Sequence, residues 1–164
     1  MTPNKKIAVV TGGAGFIGSH LASALLAEGY AVKVVDNLSG GKREKIPKDA
    51  VFFEQDINDT EALTKVMAGA EFVFHLAALP RVQYSIEHPV ETNRANVDGT
   101  VSVLTAAHDA DVKRVVYSAS SSAYGDQEVM PLTEDMPASP KSPYGLQKYV
   151  GELYCRIFSE VYNL

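Results

Sequence analysis

Residues 7–27 run Ile-Ala-Val-Val-Thr-Gly-Gly-Ala-Gly-Phe-Ile-Gly-Ser-His-Leu-Ala-Ser-Ala-Leu-Leu-Ala without one Asp, Glu, Lys or Arg. Coming after Lys5 and Lys6, such a stretch superficially suggests a secretory signal or a membrane span. The glycines in its middle, Gly12, Gly13, Gly15 and Gly18, beside Thr11 and Ser19, argue against that. Each interior glycine weakens a helix by about 1 kcal/mol. A strand, a glycine turn and a helix fit better. The β-branched run Lys6 to Thr11 predicts the strand. Phe16 to Glu28 predicts the helix, with Ile17, Leu21, Ala24 and Leu25 at helical spacing and Gly29 as its C-terminal stop.

The same alternation continues along the chain. Further strands are expected at Ala31 to Val35, Val51 to Glu54, Glu71 to His75 and Lys113 to Ser118. Helices are expected from Asp59 to Ala68, closed by Gly69, and from Pro89 to about His108. A last helix has Ser142 as its cap and Pro143 at its first position, both favoured there, and runs almost to the end. Strands alternating with helices predict an α/β fold: a doubly wound parallel sheet with helices on both faces, in a single domain. The loop Gly125 to Lys141, with Pro131, Pro137 and Pro140, is of a length usually functional or mobile.

Composition narrows the function classes. The formal net charge is -5, with both signs scattered and no basic block, which argues against nucleic acid as a partner. The lone Cys155 rules out an internal disulfide and fits a reducing compartment, so the cytoplasm is the expected location and no membrane partner is expected. His20, His75, His88 and His108 lack ligand spacing, and no metal is expected. His75 reads as a partly buried strand-end residue and Cys155 as a packing residue.

The turn Gly12-Gly13-Ala14-Gly15-Phe16-Ile17-Gly18 fits G-x-G-x-x-G. Alone that pattern is weak. Between a strand and a helix in the first βαβ unit, it lets the backbone approach a pyrophosphate at a helix N-terminus. Asp36 ends the second strand, 18 residues beyond Gly18. A carboxylate there accepts from ribose hydroxyls and repels a 2′-phosphate, so NAD is the expected cofactor. Lys42 and Arg43 keep NADP as the lesser alternative.

Tyr144 and Lys148 are four residues apart on the last helix and share a face. Tyrosine alone is a poor base at neutrality. An ammonium one turn away, and the adjacent helix N-terminus, favour its phenolate form. Such a pair exchanges a proton with a substrate hydroxyl while a cofactor moves hydride. Tyr-x-x-x-Lys is common by chance; the upstream glycine turn and Asp36 give it weight here.

Together with Asp56-Ile57, His75-Leu76-Ala77-Ala78, Asn96 in Asn-Val-Asp-Gly-Thr, and Ser118 to Gly125, these motifs occur in the order and spacing of one family. The chain resembles the nucleotide-binding half of an NAD-dependent nucleotide-sugar epimerase of the extended short-chain dehydrogenase/reductase family, over essentially its full length. The resemblance implies a Rossmann-type sheet. It implies that Gly12, Gly15, Phe16, Ile17 and Gly18 lie along the pyrophosphate, and that Asp36, Asn37, Leu38, Ser39 and Gly40 surround the adenine ribose. Asp56 and Ile57 would bracket the adenine. Leu76, Ala77, Ala78, Asn96 and Ser118 would line the way to the nicotinamide, with Lys148 on its ribose. Ser120 would bind the sugar hydroxyl that Tyr144 deprotonates, with Ser121 and Ser122 near the sugar. Dehydratase relatives carry Asp-Glu at the positions of Ser121 and Ser122, so the serines favour epimerisation at C4 of a UDP-hexose through a 4-keto intermediate.

Members of the family are longer, with a C-terminal domain that grips the substrate; these 164 residues do not include it. The resemblance also implies a homodimer built from helices 89–108 and 143–162. The fifth strand is expected at an exposed edge of the sheet. Two readings compete with the epimerase: another NAD-dependent nucleotide-sugar oxidoreductase or dehydratase, and a non-catalytic NAD-binding module.

Overall fold

A computed structural model of the protein describes residues 5–164. Five strands, β1 (Ile7–Thr11), β2 (Ala31–Asp36), β3 (Val51–Glu54), β4 (Phe72–His75) and β5 (Arg114–Tyr117), form one parallel sheet in the order β3-β2-β1-β4-β5. The order reverses beside β1, so a crevice opens at the C-terminal ends of β1 and β4, where ligands bind in open α/β sheets. β1 is buried along almost its whole length, as expected of a central strand covered on both faces. β5 lies at an edge, as its position in the chain suggested.

Helices α1 (Phe16–Ala27), α2 (Thr60–Met67), α5 (Gly99–Asp109) and α6 (Pro143–Tyr162) follow the expected pattern. Two hydrophobic clusters divide the faces of the sheet. Ala8, Val10, Val32 and Val34 pack with Ala22 and Leu25 of α1. Val9, Val35 and Val73 pack with Leu63 and Met67 of α2 and Val103 of α5. This alternation along β1 is the two-residue period of a strand. Asp59 caps α2 by accepting from the Ala62 N–H (3.0 Å), and Ser142 caps α6 by accepting from Gly145 (3.1 Å). Gly29 and Gly69, just past α1 and α2, take the left-handed conformation that glycine favours.

One local reading needs correction. The buried stripe of α1 is Gly18, Ser19, Ala22 and Leu25, while Ile17 and Ala24 are exposed. Close contact with the glycine turn turns Gly18, not Ile17, inward. The expected helix over 89–108 is present as one continuous run whose winding changes in the middle. It is α4 (Pro89–Asn93), a π-helical turn over Arg94–Asp98, and α5. A further short helix, α3 (Val82–Glu87), precedes it in a region with no predicted element.

The inward side of α6 is Gly145, Gln147, Lys148, Gly151 and Phe158, mostly small or polar residues. Its larger apolar residues Leu146, Tyr154, Ile157, Val161 and Tyr162 stay exposed. Gly151 explains part of this: a Cβ there would lie 2.3 Å from the Tyr117 hydroxyl oxygen, so the helix can rest on that ring only without a side chain.

Candidate active site

The chain leaves β1 through the glycine turn and enters α1. Gly12 has φ +71°, and a Cβ on it would sit 2.7 Å from the backbone nitrogen of Ala77. A Cβ on Gly18 would lie 2.2 Å from the Gly12 carbonyl oxygen. Only glycine allows this packing. The N-cap of α1 is Gly15; it has no side-chain cap, and the first turn holds no acid. Its N–H groups are therefore suited to an anion. Asp36 is buried at the end of β2, where it accepts from the N–H of Ala14 (3.0 Å) and of Leu38 (2.8 Å). The Lys42 N–H donates to the Ala14 carbonyl (3.0 Å), tying the loop after β2 to the glycine turn.

These elements border a groove of about 480 Å³. Gly12, Gly15, Phe16, Ile17 and Gly18 form one wall. Asp36, Asn37, Ser39, Gly40, Asp56 and Ile57 close one end, and Leu76, Ala77, Ala78, Ser118, Tyr144 and Lys148 the other. Five expected residues do not line it. Leu38 sits in a left-handed conformation (φ 60°) beside the groove. Asn96 is 1% exposed and lies behind the wall, where Ala95 lines instead. Ser120, Ser121 and Ser122 come after the lining residues Ser118 and Ala119. Ser120 caps the short 3-10 turn Ser121–Ala123, its hydroxyl accepting from the Ser122 N–H (3.2 Å). Asp56 is held below the usual carboxylate range; burial opposes this, and hydrogen bonds from Asn58 and Asn37 outweigh it.

Lys148 is 3% exposed, and its ammonium lies 4.1 Å from the centre of the Tyr117 ring. Burial pushes its pKa down to about 8, so near neutral pH it is a cation that parts with its proton readily. Burial also pushes the Cys155 thiol up to about 11, which keeps it protonated and fits a packing role. The backbone N–H of Tyr144 donates to Ser85 Oγ (3.0 Å), so α3 fixes the start of α6.

Behind the groove runs a chain of buried polar groups. The Thr100 hydroxyl donates to the Asn96 carbonyl (2.7 Å), so its oxygen accepts from His75 Nε2 (3.0 Å). Nδ1 of His75 then accepts from the Thr11 hydroxyl (2.7 Å). Burial, with the Lys148 charge second, pushes the His75 pKa to about 3, which keeps the ring neutral. At 1% exposure His75 is fully buried, not partly buried as its strand-end position suggested. The Asn96 side chain accepts from the Leu79 N–H (2.7 Å), and donates to the Leu79 carbonyl (3.1 Å) and to Gln147 Oε1 (2.9 Å). Gln147 donates in turn to Thr92 Oγ1 (3.0 Å). Sequence reasoning missed Ser85, Thr92, Thr100 and Gln147, because an isolated polar residue on a helix reads as solvent-facing.

Residues 8–164 match the sequence profile of the NAD dependent epimerase/dehydratase family. The chain belongs to that family. A UDP-glucose 4-epimerase of Mycolicibacterium smegmatis is 40% identical over 164 residues, covering 95% of this chain and 52% of its own. The structure of the UDP-glucose 4-epimerase of Thermotoga maritima, solved with UDP-glucose, matches with a TM-score of 0.93 at 40% identity, over 96% of this chain and 52% of that one. That of Brucella ovis, in complex with NAD, matches with a TM-score of 0.94 at 37% identity, over 97% and 49%. The chain spans about half the length of the curated relatives it matches. In this epimerase/dehydratase chain, no helix among the described residues is long and apolar enough to cross a membrane. No cluster of three or more metal-ligating side chains occurs among them.

Proposed function

We propose that residues 1–164 form the NAD-binding and catalytic domain of a nucleotide-sugar 4-epimerase, with a UDP-hexose as substrate. The observation that carries the reading is the single groove bordered by the glycine turn, Asp36, Tyr144 and Lys148. The cradle suits a dinucleotide: side chains are excluded at Gly12 and Gly18, and the α1 N-terminus is uncapped. The glycine turn and α1 hold the pyrophosphate, and Asp36 accepts from the adenine ribose. The Asp36 carboxylate, already holding two N–H donors, is fixed for that task.

Bound NAD supplies a reversible hydride acceptor for C4 of the sugar. The chain's own residues manage the proton. Tyr144 removes it from the 4-hydroxyl and returns it after the 4-keto sugar has turned over. Lys148 stabilises the phenolate and binds the nicotinamide ribose. Ser120 orients the hydroxyl, and Ser121 and Ser122 lie near the sugar. Neither of these last two is an acid, which sets the chain apart from dehydratases. Asn96, Leu38 and the three serines act from outside the groove walls. The curated relatives are about twice as long as this chain.

The helices at 89–109 and 143–162 form a homodimer face. Tyr154, Ile157 and Val161 make an exposed apolar row on α6, and Tyr154 borders a surface cleft with Val97, Val101 and Thr105. Light scattering at micromolar concentration tests the dimer; a clean monomer refutes it.

The function is tested by incubating the chain with NAD and UDP-hexoses and following the C4 epimers by chromatography. Conversion that disappears in Tyr144→Phe supports the epimerase. NAD binding without conversion supports the second reading, a non-catalytic NAD-binding fragment or module. Net consumption of added cofactor points instead to an oxidoreductase.

A further inference from the structure

Arg43 follows the loop that borders the adenine-ribose end of the groove, and Gly40 and Gly41 of that loop line it. Here Arg43 would be the natural partner for a 2′-phosphate, because guanidinium binds phosphate as a planar fork. It does not stand free. Its guanidinium is ion-paired with the Glu54 carboxylate and lies over the Phe52 ring, 4.6 Å from the centroid. Lys42, its neighbour, lies 3.9 Å from Glu44.

The position of Glu54 gives the pairing a consequence. In the β2–β3 ladder Glu54 is the register partner of Asp36. Phe52, two residues earlier, therefore shares its face of the sheet, and Phe52 packs with the α1-side cluster that includes Val34. Asp36 lies two residues beyond Val34 and shares that face too. Arg43, Glu54 and Asp36 thus gather on the α1 side of the sheet, at the ribose end of the groove.

We propose that Glu54 is a specificity residue for the cofactor: by holding Arg43 against Phe52, it withholds the guanidinium from a 2′-phosphate. Asp36 alone repels a 2′-phosphate; Glu54 removes the cation that would offset that repulsion. This rests on the reading of the groove as an NAD site.

The test is equilibrium binding of NAD and of NADP to the 164-residue chain by calorimetry, at low and at high salt. In Glu54→Gln, NADP affinity relative to NAD is expected to rise about fivefold, the scale of one exposed charge contact. The gain shrinks at high salt, because exposed charges are screened. NAD affinity itself stays within about twofold, showing that the groove is intact. In Arg43→Ala combined with Glu54→Gln, the gain disappears. An unchanged ratio in Glu54→Gln, or a gain that persists without Arg43, overturns the proposal. Failure of the unaltered chain to bind NAD overturns instead the cofactor reading beneath it.

Discussion

The Asn96 side-chain amide donates to Gln147 Oε1 at 2.9 Å, joining the π-helical turn to the helix that carries Tyr144 and Lys148. Both residues are almost fully buried, and the same Asn96 amide holds both backbone groups of Leu79, which lines the groove. The π turn supplies the geometry. Asn96 lies within that turn and bonds across the seam between Leu79 and α6, and π-bulges are often found at functional sites. One buried amide thereby sets a groove wall and the Tyr144–Lys148 helix in register.

Gln147→Leu keeps the volume but leaves the Asn96 donor and the Thr92 hydroxyl without that partner. An unsatisfied buried group costs about 1–3 kcal/mol, and a loss of that size is expected in urea unfolding. Asn96→Leu is expected to cost at least as much, since it also releases Leu79. The double variant should lose less than the sum, because the two share one bond. Strict additivity would mean that they do not act as a unit.

His75 makes stability depend on pH. Its pKa in the folded chain is about 3, against 6.5 in the unfolded chain, with burial as the main cause. A depressed histidine pKa means that the unfolded chain takes up a proton first as pH falls. Stability is thus complete above pH 6.5 and is lost as pH drops from 6.5 toward 3. At pH 5 the loss from this group is about 2 kcal/mol. His75→Asn, which retains an acceptor for Thr11 but does not titrate, should show a shallower fall in stability between pH 6.5 and 5. Equal slopes in both proteins would place the acid sensitivity elsewhere.

The fold was legible because its determinants are local. Buried parallel strands such as Ile7 to Thr11 read as short apolar runs, and Asp59, Ser142, Gly29 and Gly69 mark helix ends by capping chemistry. The site was legible where a residue type is required by geometry, as at Gly12, Gly18 and Asp36. It was not legible where the chain departs from a regular period. Asn96 lies within the π turn, which no helical count over 89–108 reveals. The inward side of α6 is set by the Tyr117 ring beneath Gly151, a contact between residues 34 positions apart, so the apolar stripe of the sequence points outward.

Two glycines of the cofactor loops offer a paired test. A Cβ at Gly18 meets the Gly12 carbonyl at 2.2 Å, whereas a Cβ at Gly40 meets nothing within 4 Å. Gly18→Ala is expected to cost about 1–3 kcal/mol of stability, as overpacking does, and to abolish measurable NAD binding by pushing the turn from its place. Gly40→Ala should change stability by less than about 0.5 kcal/mol. Calorimetric titration with NAD and thermal unfolding of both variants would show this. Equal behaviour of the two would mean that the close approach at Gly18 does not shape the cradle.

Lys148 sets function against stability. Its burial holds the pKa at about 8, against 10.5 for an exposed lysine, so the folded chain carries a desolvated cation at pH 7. A difference of that size corresponds to about 3 kcal/mol. Lys148→Met fills much the same space without the charge, so the cofactor-free chain should become more stable at pH 7 while NAD binding weakens, a trade common at active sites. The sign with pH follows from linkage. Below pH 8 both states of the unaltered chain hold the proton, and the penalty is constant. Between pH 8 and 10.5 the folded chain has released a proton that the unfolded chain keeps, so its stability rises with pH. The advantage of Lys148→Met should therefore shrink across that interval and be smallest near pH 10.5. Urea unfolding of the two chains at pH 7 and pH 10 measures it, and an advantage that does not change with pH would show that the lysine is not held as a desolvated cation.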